Sequence, residues 1–355
     1  MAILDRYILK EVGGIFLFGV ALFTVFLTVN HLFFLARFAL QAHVSLTVVA
    51  RLLLLRVPYF MAFSLPMALL LGTLLTFGRL SDRNEVVAMR TSGIGLSRVT
   101  LPALAAGLIV AVAGIILGEV VVPVAEDRYR AEFFVASGQP PSEEGYILFR
   151  EEEGAQISVF YARRVREAGE VMEGLTVTQF ESDRLVRVIE ARAARYTDGE
   201  WVFEEGTLYL LTGPTSVETR FDRLKVGITR TPREILFARK DPSEMTIREL
   251  RTYIGVLRRS GESVVGHIVW LHTRVAFPAS SLIFALLAVP LGLRPHRSGR
   301  SIGLGLTIVI LLGYYLLMNT TLALGQTGRL PALLAAWTPN LVVGSLGAYL
   351  LWRAR

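Results

Sequence analysis

Six long apolar runs constrain the fold of this 355-residue sequence more than any other feature. Each run has 19 to 23 residues, and about 20 helical residues, each rising 1.5 Å, cross a hydrocarbon core roughly 30 Å thick. Apart from His31, the runs contain no Asp, Glu, Lys, Arg or His. Buried helices of a soluble protein are rarely so long or so numerous, so the sequence predicts six transmembrane helices. The runs are 15–36, 57–77, 99–117, 275–293, 302–324 and 330–351.

The composition agrees with a membrane protein. Hydrophobic residues make up 53% of the chain and charged residues 19%, whereas soluble domains average about a quarter charged. The net charge of +7 and the pI of 9.8 can indicate nucleic-acid binding. However, there is no Lys/Arg-rich run and no nucleic-acid motif, so we expect no nucleic-acid partner. The absence of cysteine excludes disulfides and cysteine metal sites.

The basic residues between the runs predict the orientation, because short cytoplasmic links carry more Arg and Lys than external ones. The second and fourth links and the C-terminal tail carry Arg79, Arg83, Arg90, Arg98, Arg294, Arg297, Arg300, Arg353 and Arg355. The short links on the other side carry Arg37, Arg51, Arg56 and Arg329. Both termini are therefore predicted to be cytoplasmic. The long segment 121–262 is predicted to be periplasmic, since long domains cross regardless of charge.

The segment 121–262 has the alternating pattern of β-strands. Alternating runs lie at 157–161, 175–180, 186–191, 201–204, 208–211 and 220–226, with turn formers at Asp198-Gly199 and Gly213-Pro214. We therefore expect an α-helical membrane protein with an inserted periplasmic all-β, jelly-roll-like domain between transmembrane helices three and four. The N-terminal membrane part is then 1–120, and the C-terminal membrane part is 263–355.

Two amphipathic helices are predicted outside the apolar runs. After the strands, Thr246 and Glu249 have the spacing of a capping box, and Leu250, Tyr253 and Leu257 recur at helical spacing. Before the first run, residues 5–12 are typical of a short helix lying on the cytoplasmic membrane surface.

Common catalytic motifs are absent from the sequence. Without a Gly-Lys dipeptide there is no phosphate-binding P-loop, and the chain lacks H-E-x-x-H, G-x-S-x-G and Ser-x-x-Lys. The apolar runs hold no carboxylate, which argues against a proton-relay transporter. We therefore expect no catalytic residue, no metal site and no cofactor bound by this chain. Its energy would come from a partner.

The link between the second and third runs, residues 81–95, is the first candidate for function. Asp82 and Glu85 have capping-box spacing, and Gly93 or Gly95 is placed to end a short helix. Such a helix can dock into a groove on a cytoplasmic ATPase and transmit its movement. Alternatively, Glu85 only caps a connecting helix.

A second candidate lies at the outward end of the first run. Polar groups at membrane depth are costly and usually face a cavity or a partner, and arginine binds phosphate bidentately. A ring of cations there would suit the phosphates of a lipid head group. Alternatively, the arginines extend to the membrane surface. The residues there are His31 and Arg37, with Arg51 and Arg56 before the second run, and the same two interpretations apply to Arg274 at the head of the fourth run.

Seven short motifs occur along nearly the whole chain, at 4–8 (Leu-Asp-Arg-Tyr-Ile), 81–95 (with Glu-Val-Val-Ala-Met), 118–123, 245–261, 294–300, 328–331 and 337–340 (Trp-Thr-Pro-Asn). Together with three spans, a β domain and three further spans, they resemble the LptF/LptG (YjgP/YjgQ) permease family. That family belongs to the ABC transporter that extracts lipopolysaccharide from the inner membrane. The motifs at 4–8 and 118–123 resemble LptG, whereas those at 294–300 and 337–340 resemble LptF, so both paralogues stay open.

The resemblance implies a permease that pairs with a paralogous subunit, encloses a cavity open to the outer leaflet and is driven by a cytoplasmic LptB-type ATPase dimer. It implies that Glu85, supported by Arg83 and Met89, couples the chain to that ATPase, which alone uses ATP. His31 and Arg37 would meet the phosphates of lipopolysaccharide or a related envelope glycolipid.

The β domain would pass the lipid to a periplasmic bridge, and a single-span LptC-type protein would insert a helix beside span one. Two other functions stay open, namely export of lipoprotein or another amphiphile and a non-transporting scaffold for envelope assembly.

Overall fold

The computed structural model of the chain describes residues 3–354 except 43, 137–146, 154–155, 167–168, 182–183, 213–214, 229, 238–241, 243–244, 260–261 and 294–300. The basic loop at 294–300, the predicted turn at Gly213-Pro214 and Arg355 lie outside the described residues. The chain divides into two units, the first being Met1–Tyr129 with Ile268–Arg355 and the second Arg130–His267.

The helices, in chain order, are α1 (Ile3–Ala42), α2 (Leu46–Asp82), α3 (Glu85–Thr91), α4 (Leu96–Ile116), α5 (Val122–Ala136), α6 (Pro232–Phe237), α7 (Ile247–Arg259), α8 (Val265–Gly292), α9 (Ser301–Gln326) and α10 (Ala332–Arg353). A π-helical turn, Leu117–Val121, joins α4 to α5.

Within the described residues, six helices are long and apolar enough to cross a membrane, which confirms the predicted six transmembrane helices. They are α1, α2, α4 with its continuation into α5, α8, α9 and α10. The short helix predicted at 5–12 is not separate but forms the first turns of α1. The reason is that the apolar sequence resumes directly after Gly13 and Gly14, so the helix continues through them.

Glycines allow close packing of α8 against α4 and α2. A Cβ on Gly107 of α4 would lie 2.9 Å from the Cα of Leu282, and one on Gly292 of α8 would lie 2.8 Å from the Cβ of Phe77. Lipid tails are as apolar as side chains, so membrane helices associate largely through such close backbone contacts.

A buried amide joins the last three helices. Asn340 of α10 accepts a hydrogen bond from the Tyr314 hydroxyl of α9 at 3.0 Å and donates one to the Ala276 carbonyl of α8 at 2.6 Å. The side chain is buried, where an unpaired amide would be costly. This is a physical role for the asparagine of the 337–340 motif.

In the described part of the second unit, six strands form an antiparallel sheet. The strands are β1 (Ile147–Glu153), β2 (Gln156–Arg166), β3 (Val171–Glu181), β4 (Arg184–Thr197), β5 (Glu200–Thr212) and β6 (Thr215–Val226). Inward-facing residues such as Phe160, Val177, Ile189 and Phe203 are buried in one apolar cluster. Their alternation along the strands is what the sequence pattern predicted.

The inserted β domain is confirmed, but the described strands do not have jelly-roll connectivity. A jelly roll folds two sheets with Greek-key connections, whereas these strands lie in chain order as a meander. Tight hairpins are the cause. Thr197 pairs with Glu200 across Asp198 and Gly199, whose φ values of 53° and 86° suit a two-residue turn.

The capping box predicted at the start of α7 is confirmed. The Thr246 amide donates to Glu249 Oε2 at 2.8 Å, and the Glu249 amide donates to Thr246 Oγ1 at 3.1 Å. Both bonds satisfy backbone donors that the first helical turn leaves free. The sequence signal and the local structure therefore agree in detail.

Candidate functional site

The link between α2 and α4 contains a short helix, although it begins differently from the prediction. Asp82 is still the last residue of α2, and Asn84, in a left-handed conformation with φ 58°, precedes Glu85, the first residue of α3. The expected capping box of Asp82 and Glu85 is therefore wrong. The sharp turn at Asn84 separates them, because asparagine tolerates positive φ better than most residues.

The end of α3 follows the sequence signal. Gly93 has a φ of +82° and its amide donates to the Arg90 carbonyl, while the Ile94 amide donates to the Met89 carbonyl, both at 3.0 Å. This pair of bonds is a Schellman motif, in which glycine takes the left-handed position at low cost. The link is thus a defined turn, helix and turn.

The predicted coupling residues lie together on this link, Arg83 just before the turn at Asn84 and the other two on α3. Glu85 accepts a hydrogen bond from the Tyr7 hydroxyl of α1 at 2.8 Å, and Arg83 Nη1 lies 3.7 Å from Glu85 Oε1. Met89, one helical turn after Glu85, is partly buried against the membrane-helix cluster. Tyr7 is a contact that sequence reasoning missed, although it lies within the Leu-Asp-Arg-Tyr-Ile motif.

Helix α3 is also held by burial of Val86. This side chain belongs to the cluster that contains Ile8 of α1, Phe77 of α2 and Val289 of α8. Seven residues are too few for a stable isolated helix, so α3 owes its shape to these contacts. Any displacement of α3 must therefore move its neighbours.

A groove of about 500 Å³ opens beside α3. It is lined by residues of α2, α3, α4, α8 and α10, among them Val87, Arg90, Leu293 and Arg353. The ends of several helices therefore meet at one place. The Ser81 hydroxyl of α2 donates to the Leu293 carbonyl at 3.2 Å and fixes one wall.

Two of the predicted head-group residues meet near the other end of α1. Arg56 of α2 forms an ion pair with Glu126 of α5, and its guanidinium lies over the Tyr129 ring, 4.6 Å from the centroid. His31 of α1 joins the same group, with Nε2 3.1 Å from the Tyr129 hydroxyl oxygen. The charge of Arg56 is therefore balanced within the protein.

Arg274 has a different set of partners. Arg274 of α8 lies 3.8 Å from a Glu119 oxygen and donates to the Gly118 carbonyl at 3.3 Å, both in the π-helical turn. Arg37 and Arg51 are exposed. The structure thus brings His31 and Arg56 together at Tyr129 and pairs Arg274 with a separate carboxylate.

Sequence reasoning missed Glu119, Glu126 and Tyr129 because it ended the third membrane helix at residue 117. In the structure the helical path continues through the π-turn and α5 to Ala136. Glu119 and Glu126 are seven residues apart and Tyr129 follows three residues later. At 3.6 residues per turn they share one side of a helix, and this spacing is the signal that could have revealed them.

Comparison with known proteins agrees with this architecture. The family profile described as lipopolysaccharide export system permease LptF/LptG matches residues 6–353. The lipopolysaccharide export system permease protein LptG of Escherichia coli K12 is 26% identical over 254 residues, which cover 69% of this chain and 68% of that protein. The LptG protein of Haemophilus influenzae is 24% identical over 302 residues, covering 82% of this chain and 81% of that protein. The chain therefore belongs to the LptF/LptG family of lipopolysaccharide export system permeases.

Proposed function

We propose that this chain is a permease subunit that extracts lipopolysaccharide, or a related envelope glycolipid, from the inner membrane and passes it to a periplasmic bridge. The energy comes from a separate cytoplasmic ATPase of the LptB type, and ATP is bound only there. Both termini are cytoplasmic in this proposal and the β domain is periplasmic. The partners are a paralogous permease subunit and a single-span LptC-type protein.

The observation that carries this proposal is the attachment of α3. A connector that only joined two membrane helices would not need both a hydrogen bond from α1 and a buried side chain. In this chain Glu85 bonds to Tyr7, and Val86 packs with residues of α1, α2 and α8. A force applied to α3 therefore reaches at least three membrane helices, as coupling to a motor requires.

Glu85 is the leading coupling residue, and Arg83 and Met89 support it. Its carboxylate is held by Tyr7 on one side and lies near Arg83 on the other. This arrangement fixes the direction of an acceptor that a basic or amide group of the ATPase can bind. The exposed side chain of Arg83 provides a second, oppositely charged contact.

For the lipid, we base the roles of the cations on exposure. Arg37 and Arg51 are exposed and suited to phosphate contact, whereas His31 contacts the Tyr129 hydroxyl. Arg56 and Arg274 each have a carboxylate neighbour, so their main role is to hold the helices in position. Phosphate binding by Arg56 would first require breaking its bond with Glu126.

The coupling step is tested by replacing Glu85 with Ala in the complex reconstituted with its ATPase in liposomes. We expect the complex to assemble while ATP-dependent lipid release falls at least tenfold. Glu11→Ala is the matched control, because it removes a carboxylate that pairs with Arg79 at 2.7 Å instead of with α3. Normal release by the Glu85 variant would contradict the coupling role. A wild-type complex with no ATP-dependent release would favour a scaffold.

The cargo is tested by mass spectrometry of lipid that co-purifies with the wild-type complex and with an Arg37→Gln, Arg51→Gln variant. We expect an enriched phosphorylated glycolipid that the variant loses. Recovery of ordinary phospholipid alone, unchanged in the variant, would contradict a dedicated glycolipid site. Recovery of lipoprotein would favour the alternative of lipoprotein export.

A further inference from the structure

Helix α7 presents an arginine face whose function the transport proposal does not explain. Its apolar side chains are buried along one side. The opposite side carries Arg248, Arg251, Arg258 and Arg259, all exposed. At about 100° per residue these four positions fall within an arc of about 100°, so they form a single surface, which we call the arginine face.

The arginine face is held rigidly. The capping box of Thr246 and Glu249 fixes the start of α7, and Leu250, Val256 and Leu257 are almost completely buried behind it. Beyond the helix, the Glu262 amide donates to the Leu257 carbonyl at 2.9 Å, and the Glu262 carboxylate pairs with the buried Arg230. The arginines therefore project from an ordered scaffold.

The charge of this face is largely uncompensated by neighbouring side chains. Arg259 pairs with Glu234 of α6 at 2.7 Å. The Glu249 carboxylate accepts hydrogen bonds from Thr246 in the capping box. Within the part of the chain that the structure describes, no carboxylate pairs with Arg248, Arg251 or Arg258. Three guanidinium groups are thus available to one anionic partner, and guanidinium groups bind phosphate bidentately.

The position of α7 along the chain selects the partner. Only five residues, 260–264, separate it from α8, and a link of that length spans at most about 20 Å. The first turn of α8 also contacts α7, because the rings of Tyr253 and His267 meet edge to face with centroids 5.2 Å apart. Tyr253 belongs to the buried side of α7, so the arginine face is on the side of α7 away from this contact. Since α8 is a membrane-spanning helix, α7 directly precedes the start of a span in the chain.

We propose that the arginine face of α7 binds the phosphate groups of anionic phospholipids at the membrane surface beside α8. The apolar side of α7 faces protein, so the helix does not insert into the bilayer. It binds by charge and hydrogen bonding alone, because guanidinium groups bind phosphate bidentately.

The experiment uses the absence of native cysteine. Gly255 lies within the arginine face, and a Cβ there would meet no atom within 4 Å, so Gly255→Cys provides a single labelling site. The full chain, with the subunits that co-purify with it, is placed in nanodiscs of phosphatidylcholine with or without phosphatidylglycerol. A fluorophore at position 255 then reports proximity to phospholipids that carry a nitroxide at the head group.

We expect head-group quenching to be at least twofold stronger with phosphatidylglycerol. The difference should disappear in 1 M salt, where the screening length falls to about 3 Å. It should also disappear in the Arg248→Gln, Arg251→Gln, Arg258→Gln variant. The matched control, Arg187→Gln, Arg192→Gln, Arg223→Gln, removes the same charge from exposed positions of the sheet and should keep the difference.

Three results would overturn the proposal. They are equal quenching in both lipids, retention of the difference by the α7 triple variant, and stronger quenching only in a third set of nanodiscs that contains lipopolysaccharide, which would assign the face to cargo instead. The single variant Arg251→Gln tests the proposal if the triple variant misfolds. It should reduce the difference partly while leaving the circular dichroism spectrum unchanged.

Discussion

The guanidinium group of Arg56 forms an ion pair with the carboxylate of Glu126, although 70 residues separate them in the chain. The two side chains are only 19% and 7% exposed, and the rings of Tyr59 and Tyr129 flank the guanidinium, with centroids 5.1 and 4.6 Å away. This one contact joins α2 to α5 and, through Tyr129, to His31 of α1. It is therefore a structural connection between three helices.

Glu126→Gln should destabilise the protein by about 3 kcal/mol, because it leaves the mostly buried cation of Arg56 without its counter-charge. Thermal unfolding in nanodiscs would show this as a melting temperature lower by several degrees. The more exposed pair of Glu11 and Arg79 gives the control, and Glu11→Gln should cost less than about 1 kcal/mol. The double variant Arg56→Met, Glu126→Leu should recover most of the loss. Equal melting of Glu126→Gln and wild type would contradict the role of this pair.

Tyr7→Phe should weaken coupling without preventing ATPase binding. The substitution removes only the 2.8 Å hydrogen bond to Glu85, a bond of about 1 kcal/mol or slightly more. That energy corresponds to about a fivefold lower rate of ATP-dependent lipid release if the bond holds α3 in its working position. The release assay measures it, with Tyr349→Phe, at an exposed tyrosine, as the comparison. Release unchanged by Tyr7→Phe would mean that Glu85 acts without α1.

Asn340→Leu should cost about 1 kcal/mol, in the range measured for hydrogen bonds between membrane helices. The change removes the two hydrogen bonds that the Asn340 amide makes with the Tyr314 hydroxyl and the Ala276 carbonyl. Adding Tyr314→Phe removes the buried hydroxyl that has lost this partner and should restore part of the stability. Thr320→Val, which deletes an exposed hydroxyl bonded to its own helix, should change the melting temperature little. If Thr320→Val lowers the melting temperature as much as Asn340→Leu does, the hydrogen bonds of Asn340 are no more important for stability than an exposed one.

Gly107→Ala should destabilise the membrane part by about 1–3 kcal/mol through overpacking. The new methyl group would lie 2.9 Å from the Cα of Leu282 and 3.2 Å from the carbonyl oxygen of Ser281, and backbone atoms cannot move aside as side chains do. Gly305→Ala is the matched control, because its Cβ meets nothing within 4 Å and alanine favours helix. The difference between the two melting temperatures is the measured quantity. A Gly107 variant as stable as the Gly305 variant would refute the close helix contact.

Most local signals in the sequence were a reliable guide to this structure, although the capping box expected at Asp82 and Glu85 is not formed. The capping box at Thr246 and the glycine at the end of α3 are decided by residues a few positions apart, and both are found as predicted. The six apolar runs also translate directly into helices, because lipid requires every backbone group to be bonded within the segment. These features are determined mainly by residues close to them in the sequence.

Contacts between distant residues were beyond the same reasoning. The cations at Arg56 and Arg274 were recognised, but their carboxylate partners were not, because a pairing across 70 residues depends on how helices pack. The connectivity of the sheet was missed for a related reason. Alternating patterns identify strands, whereas their order in the sheet depends on turns such as Asp198-Gly199 and on the pairing that those turns impose.

Helix α1 has a mechanical consequence that follows from its continuity. It contains no proline and runs for 40 residues, about 60 Å at 1.5 Å per residue. Tyr7 near its start touches α3, and His31 in its last third touches Tyr129. One continuous helix therefore connects the two contacts, which are about 36 Å apart along its axis. If α1 tilts or shifts at one contact, the residues at the other contact move with it. No series of side-chain rearrangements is needed between them.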